Sequence, residues 1–162
     1  MKTNQAIPHK IFTLDNLERQ AKIWKMLGKK IVFTNGVFDI VHHGHIASLT
    51  EAASQGDVLV VGINADASVK KLKGPTRPIN NENARAILLA SLLQTDAIII
   101  FEEDTPLNLI NKVMPNVLVK GGDYTLEQII GGKEVIAAGG KVVIAQMVDG
   151  VSSTKIIEKM NS

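Results

Sequence analysis

Lys30-Ile31-Val32-Phe33-Thr34 runs directly into Asn35-Gly36-Val37-Phe38-Asp39-Ile40-Val41-His42-His43-Gly44-His45. The first five residues are short, β-rich and largely apolar, and Asn35-Gly36 is a turn signal, so this reads as a buried strand that ends in a turn. Residues 44–55 then carry a helical pattern that stops at Gly56. A strand that hands over to a helix brings free backbone N–H groups and the positive helix end to one place, and that place attracts an anion.

The same strand–helix alternation continues outward in both directions. Before the strand, residues 13–27 show a helical period: Thr13 is placed to cap, Leu14, Leu17, Ala21, Trp24 and Leu27 form an apolar stripe, and Gly28 sits at the C-terminal cap. After it, further apolar runs at 58–63, 97–101, 117–120 and 141–145 read as strands. Helices are expected around 65–71, from Asn80 through Leu93, from Pro106 to Met114, and after Ser152-Ser153. Strands that are apolar on both faces and separated by helices predict a five-stranded parallel sheet with helices on both sides. The expected organisation is one α/β domain over 1–162, with residues 1–28 as a helical extension packed on it. Such sheets bind ligands beyond the carboxyl ends of their strands, where strand order reverses. Function is therefore expected at 34–45, 63–66, 120–124 and 149–154.

Composition narrows the classes. Hydrophobic residues make up 45% of the 162, enough for a core. Lys plus Arg number 18 against 16 Asp plus Glu, a near-balance that argues against a nucleic-acid arm or a polybasic membrane patch. Any positive field must be gathered locally. The absence of Cys removes disulfides and thiolate metal sites and fits a reducing compartment. The start, MKTNQAIPHK, lacks the apolar region of a signal peptide, and no apolar run is long enough to span a bilayer. The expectation is a cytoplasmic protein with no membrane or nucleic-acid partner.

In the first expected site segment, Gly36 suits a sharp exit from the strand and Gly44 a close approach of phosphate to backbone. His42 and His45 are three apart, so at a helix start they point the same way. Two imidazoles on one phosphate donate hydrogen bonds, and protonation strengthens them. A helix cap or a core histidine is the plainer alternative for either one. His43 falls between the paired positions and reads as non-catalytic. The second segment, Gly62 to Gly74, holds Asn64 and Asp66 and ends in Lys70, Lys71 and Lys73 beside a loop. There Lys73, Arg77 and Arg85 can serve a common field, with a solvated basic turn as the alternative. The third, Val119-Lys120-Gly121-Gly122-Asp123-Tyr124, puts Lys120 at a strand's carboxyl end, where packing alone does not explain it. The fourth, Asp149-Gly150-Val151-Ser152-Ser153-Thr154, offers hydroxyls at a helix start, by itself an ordinary cap.

Gly36-Val37-Phe38-Asp39-Ile40-Val41-His42-His43-Gly44-His45 resembles the GxFDxxHxGH signature of the cytidylyltransferase-like nucleotidyltransferases. The closing SSTKII resembles that superfamily's ISSTxxR-type segment, with Ile157 where the pattern carries Arg, so any cation needed there must come from Lys155 or elsewhere. NADASVKKLKG, RPINNENARAILLASL, FEEDTPLNLI, LVKGGDY and DGVSSTKII together resemble the D-glycero-β-D-manno-heptose 1-phosphate adenylyltransferases, from about residue 12 to residue 160. That resemblance implies a Rossmann-like fold and transfer of AMP from ATP to the sugar 1-phosphate, with Mg²⁺ delivered on ATP, for ADP-heptose and the lipopolysaccharide core. A substrate phosphate oxygen attacks the α-phosphorus directly in that chemistry, so the protein aligns reactants and stabilises charge rather than supplying a nucleophile.

Carried over by position, the resemblance assigns His42, His45 and Lys120 to catalysis. It assigns Thr34, Asn35, Gly36, Phe38, Gly44, Gly121, Asp123, Ser152, Ser153 and Thr154 to the nucleotide. Asp39, Asn64, Asp66, Lys73, Arg77 and Arg85 fall to the acceptor side, with a helix cap as the plainer role for Asp39. No carboxylate cluster is dense enough for a metal cage built only from protein. No kinase domain is read in the chain, so a separate chain is expected to make the sugar phosphate. The rival readings are a cytidylyltransferase acting on glycerol 3-phosphate or a similar acceptor, and a nucleotide-binding module without turnover. The Leu14–Leu27 helix reads either as cover for a sheet face or as a homodimer contact.

Overall fold

Alternate residues of one strand feed two cores. In β2, Ile31–Gly36, the side chains of Ile31 and Phe33 join one buried cluster and that of Val32 joins the other. β3, Val58–Asn64, is buried along its whole length. These two lie at the centre of a six-stranded sheet in the order β1-β4-β3-β2-β5-β6, with every pairing parallel. β4 is Ala97–Phe101, β5 Val117–Gly121 and β6 Lys141–Ala145. The computed structural model describes residues 5–122, 124–146 and 152–161.

The sheet has one strand more than expected. β1 is Ile11–Phe12, paired with Ile98 and Ile99 of β4. Two residues cannot carry an apolar run, so nothing in their pattern marks them as a strand.

Helices cover both faces, and the architecture is a Rossmann-like α/β fold. α1, Leu14–Met26, buries Leu17 and Ala21 and packs beside α5, Leu107–Val113. Thr13 caps α1 by accepting from the Asn16 N–H at 3.4 Å. Gly28, at φ +70°, closes its other end in a conformation glycine adopts without strain. On the opposite face α2, His43–Ala53, and α4, Glu82–Ala90, bury Leu49, Ala52, Ala86 and Leu89. α3, Asp66–Lys73, leads into the basic loop; α6, Gly132–Ala137, backs β5 and β6; α7 is Ser153–Asn161. Among the described residues no helix is long and apolar enough to cross a membrane.

Helix starts depart from expectation by a residue here and there. Asn81, not Asn80, caps α4, taking the Ala84 N–H at 2.9 Å, because Asn80 is tied elsewhere. Pro106 is the cap of α5 rather than its first helical residue.

Strand order sets the position of the cleft. From β2 the chain builds β3 and β4 on one side, then returns to place β5 and β6 on the other. The carboxyl ends of β2 and β5 therefore flank the point where the winding reverses.

Candidate active site

At that point lies a cleft of about 350 Å³, within the range of small-ligand sites. Its lining includes Thr34, Asn35, Gly36, Phe38, Asp39, His42, Gly44 and His45 from the β2–α2 segment, Lys73 from the end of α3 and Arg77 from the basic loop. Lys120 and Gly121 come from the end of β5, and Ser152, Ser153 and Thr154 from the start of α7. Three of the expected residues stay outside it: Asn64, Asp66 and Arg85. Asp123 and the Asp149-Gly150-Val151 stretch lie outside the described residues.

The turn before α2 is made by an unexpected residue. Gly36 keeps a negative φ, and it is Phe38 that takes the left-handed conformation, at φ 51°. What Gly36 supplies is room: a Cβ there would come within 2.9 Å of the Phe38 ring. That ring, buried, stands 5.2 Å from the His45 ring. The His45 ring in turn stacks on His42, with centroids 3.9 Å apart and planes 31° apart.

Hydrogen bonding fixes the state of this pair. The His42 backbone N–H donates to His45 Nδ1 at 3.3 Å. Nδ1 is thus an acceptor, and in the neutral ring the proton sits on Nε2, free to donate. Burial, then the neighbouring His42, pushes the His45 pKa down to about 4. Burial, then His43, lowers that of His42 as well. Both rings are neutral donors near pH 7, whereas the sequence invited the idea that protonation strengthens their grip. Among the described residues His42 Nδ1 is buried with no hydrogen-bond partner. His43 is exposed and does not line the cleft.

Asp39 is no free carboxylate. It is 2% exposed; its Oδ1 accepts the Ile79 and Asn80 N–H groups at 2.8 and 3.0 Å, and its Oδ2 accepts Arg77 Nε at 2.6 Å. Burial pushes its pKa up, but the amides of Asn80 and Ile79 and the Arg77 guanidinium outweigh burial and hold it below the usual value. The helix-cap alternative fails too, since its bonds go to the 77–80 loop. Asp39 ties that loop to the β2–α2 turn, with Asn80 Nδ2 returning a bond to the Asp39 carbonyl at 2.8 Å.

The residues outside the cleft are likewise held by protein. Arg85 Nη2 meets Asp66 Oδ1 at 2.7 Å, and Asn64 Nδ2 donates to Ser68 Oγ at 3.2 Å in a buried pair. Ser153 Oγ donates to the Ile40 carbonyl at 2.9 Å, pinning the start of α7 over the α2 segment, while Ser152 Oγ accepts the Lys155 N–H at 3.1 Å.

Among the described residues Lys120 has no carboxylate within ion-pair reach; its Nζ makes a long 3.5 Å contact with Asn35 Oδ1 and lies 5.6 Å from the Tyr124 ring centre. Burial lowers its pKa. Tyr124, from the expected 120–124 segment though given no role of its own, also lines the cleft, as does Ser48, which sequence reading did not single out. Ser48 stands one further helical step from His45, so the His42–His45 spacing extends to it. Among the described residues no group of three or more acidic or histidine side chains is disposed to hold a metal ion. The lone described carboxylate lining the cleft, Asp39, is already engaged.

Comparison with known proteins agrees with this geometry. The bifunctional protein HldE of Caulobacter vibrioides is 49% identical over 153 residues, covering 94% of this chain and 32% of that protein. The HldE of Nitrobacter winogradskyi is 52% identical over 144 residues, covering 89% and 30%. The chain thus spans about a third of the length of these curated relatives. The lipopolysaccharide core biosynthesis protein of Thermoplasma volcanium is 31% identical with a TM-score of 0.65, covering 75% of this chain and all of that one. A pantoate-β-alanine ligase of Francisella tularensis, at 16% identity and TM-score 0.62 over 93% of this chain and 76% of that one, shares the fold. The cytidylyltransferase-like family matches residues 33–159, nearly all of the sheet and every wall of the cleft, and the chain belongs to that family and is a nucleotidyltransferase.

Proposed function

We propose that the chain transfers AMP from ATP to D-glycero-β-D-manno-heptose 1-phosphate, releasing pyrophosphate and ADP-heptose. The observation that carries the transfer step is the stacked, neutral His42–His45 pair at the start of α2, in a cleft that also gathers Lys73, Arg77 and Lys120. The acceptor is read from the likeness to the HldE proteins together with the sequence stretches from NADASVKKLKG to DGVSSTKII.

A phosphate oxygen of the sugar 1-phosphate attacks the α-phosphorus of ATP, the bond from that phosphorus to the bridging oxygen breaks, and pyrophosphate leaves with the electron pair. His45 Nε2–H and the His42 ring donate to phosphoryl oxygens as their charge grows. The His43 and Gly44 N–H groups at the start of α2, approachable because Gly44 carries no side chain, reinforce them, while the His45 N–H is already given to the His42 carbonyl at 2.9 Å. Lys120 and Lys73 neutralise the remaining charge, with Arg77 held in place by Asp39. Thr34, Asn35, Gly36, Phe38 and Gly121 shape the nucleotide cradle, and Ser152, Ser153 and Thr154 close it. Magnesium would reach this cleft on the ATP phosphates, keeping much of its water, and would lower the charge of the leaving pyrophosphate.

The test is pyrophosphate release measured with each of the four common NTPs against heptose 1-phosphate, glycerol 3-phosphate and other phosphorylated acceptors. Fastest turnover with ATP and the heptose phosphate supports the reading. A preference for CTP and glycerol 3-phosphate replaces the substrate, and ATP binding without release removes the enzyme. Turnover of ATP with a chiral α-phosphorothioate should invert the α-phosphorus, the mark of one direct displacement; retention would mean a nucleotidylated enzyme.

A further inference from the structure

Among the described residues Arg85 is the largest fully buried side chain, and it does not line the cleft. Its guanidinium reaches three separate segments: Nη1 donates to the Val37 carbonyl at 2.7 Å, Nε to the Asn80 carbonyl at 3.0 Å, and Nη2 to Asp66 Oδ1 at 2.7 Å. Burying a guanidinium is costly, and packed apolar residues commonly stabilise a core as well or better, so stability alone is a poor reason for this arrangement.

The positions of its acceptors suggest another reason. Val37 precedes Phe38, whose left-handed backbone is unfavourable for a bulky side chain and must be held by its surroundings. That turn sets the ring against which His45 rests. Asn80 ends the loop bearing Arg77 and is gripped from its other side by Asp39. The Asp66 N–H is itself held by Glu82 Oε2 at 2.7 Å, so the starts of α3 and α4 are locked to the same point.

We propose that Arg85 is a positioning residue for nucleotidyl transfer: by holding the Val37 and Asn80 carbonyls it fixes both the Phe38–His45 wall and the Arg77 loop to one buried anchor. It touches no reacting atom and acts through those two carbonyls. The activity side of this inference rests on the function proposed above, whereas its structural side does not.

Two variants test it. Arg85→Lys keeps the charge but cannot span three acceptors. The double variant Arg85→Met with Asp66→Leu replaces an ion pair, buried at its Arg85 end and partly exposed at Asp66, with apolar groups and removes the carbonyl contacts, a change of the kind that often leaves a core stable. Both are assayed for kcat and for the KM of ATP, and the His45 imidazole signals are followed by ¹H–¹⁵N correlation. Readouts come from whichever variant retains wild-type circular dichroism. The expected result is kcat lower by about tenfold or more, in line with the cost of small misplacements at a reacting centre, with a KM change under about threefold. The His45 signals should move while those of His9, away from the cleft, stay. A folded variant with kcat within about twofold of wild type and unmoved His45 signals overturns the proposal and leaves Arg85 a framework residue. If the wild-type chain releases no pyrophosphate from any pair of substrates, the proposed function fails, and the His45 signals still decide the role of Arg85.

Discussion

The two ends of one short segment treat their polar atoms in opposite ways. At Asp39 both carboxylate oxygens are occupied, by two backbone amides and a guanidinium. A few residues later His45 keeps its Nε2 proton for something outside the chain, and Lys120 across the cleft has, among the described residues, a long contact to Asn35 and the face of the Tyr124 ring. Buried polar groups are normally satisfied, so those left open mark where a ligand completes the structure. The lesson is that neighbours in one motif divide into frame and reagent, and hydrogen-bond accounting separates them where residue type does not.

Breaking the frame should cost the most. Removing one member of a buried pair leaves the other charged and unpaired, so Asp39→Ala is expected to lose about 3–5 kcal/mol of stability in urea unfolding. The pH dependence has a definite sign. The folded Asp39 pKa lies below its unfolded value, so its contribution is complete above the ordinary carboxylate range and is lost as pH falls through the lowered value. Asp39→Asn should flatten that part of the acid limb. Unchanged stability in both variants would show that Asp39 is a ligand group after all.

On the reagent side the fold should survive and the chemistry should not. His42→Ala or His45→Ala removes a donor aimed at charge that grows in the transition state, with an expected loss of about 2.7–4 kcal/mol, or roughly 10²–10³ in turnover. His43→Ala should stay within about twofold. Equal losses at all three would dissolve the distinction between the stacked pair and its exposed neighbour.

Lys120 sharpens the comparison at a smaller scale. Lys120→Met is expected to lower turnover about tenfold, since a partly buried cation with no carboxylate partner among the described residues is worth more to a phosphate than one in water. Lys71 is exposed and already bonded to Asp104 at 3.3 Å. Lys71→Met should cost under about twofold. A larger defect at Lys71, measured as turnover and substrate affinity, would move the phosphate site towards the basic loop.

Much of this was legible because the physics is local. Strands covered on both faces are nearly all apolar, and a strand running into a helix start announces an anion site whatever surrounds it. β1 was hidden because two residues carry no period. Asn64, Asp66 and Arg85 were misplaced for a different reason: sequence locates the end of β3 at the ligand edge but says nothing of which way a side chain turns. Asn64 turns to Ser68, and Asp66 to Arg85. Charge, likewise, says nothing of whether a partner waits across the chain, which is why Asp39 read as a contact for the acceptor. Ser48 went unnoticed because a serine inside a helix has no signal of its own.

The smallest expected effect is a near absence of one. If the histidines worked as cations, each would have to gain a proton when triphosphate binds, and affinity would fall up to tenfold per pH unit above their free pKa. With His45 near 4 in the free protein, and its Nδ1 held as an acceptor, the ring binds phosphate through Nε2–H without protonation. Phosphate charge raises the bound pKa, so affinity tightens only as pH falls below that raised value towards the free one near 4, and above it the curve is flat. Calorimetry of an unhydrolysable ATP analogue between pH 7.5 and 8.5, in buffers of different ionisation enthalpy, avoids the analogue's own titration. It should show uptake of under about 0.2 proton and an affinity change under about twofold. Uptake near one proton, abolished in His45→Gln, would mean that the ligand lifts the ring by several units and that His45 binds as an imidazolium. The two regions would then differ in degree of charge rather than in the freedom of their hydrogen bonds.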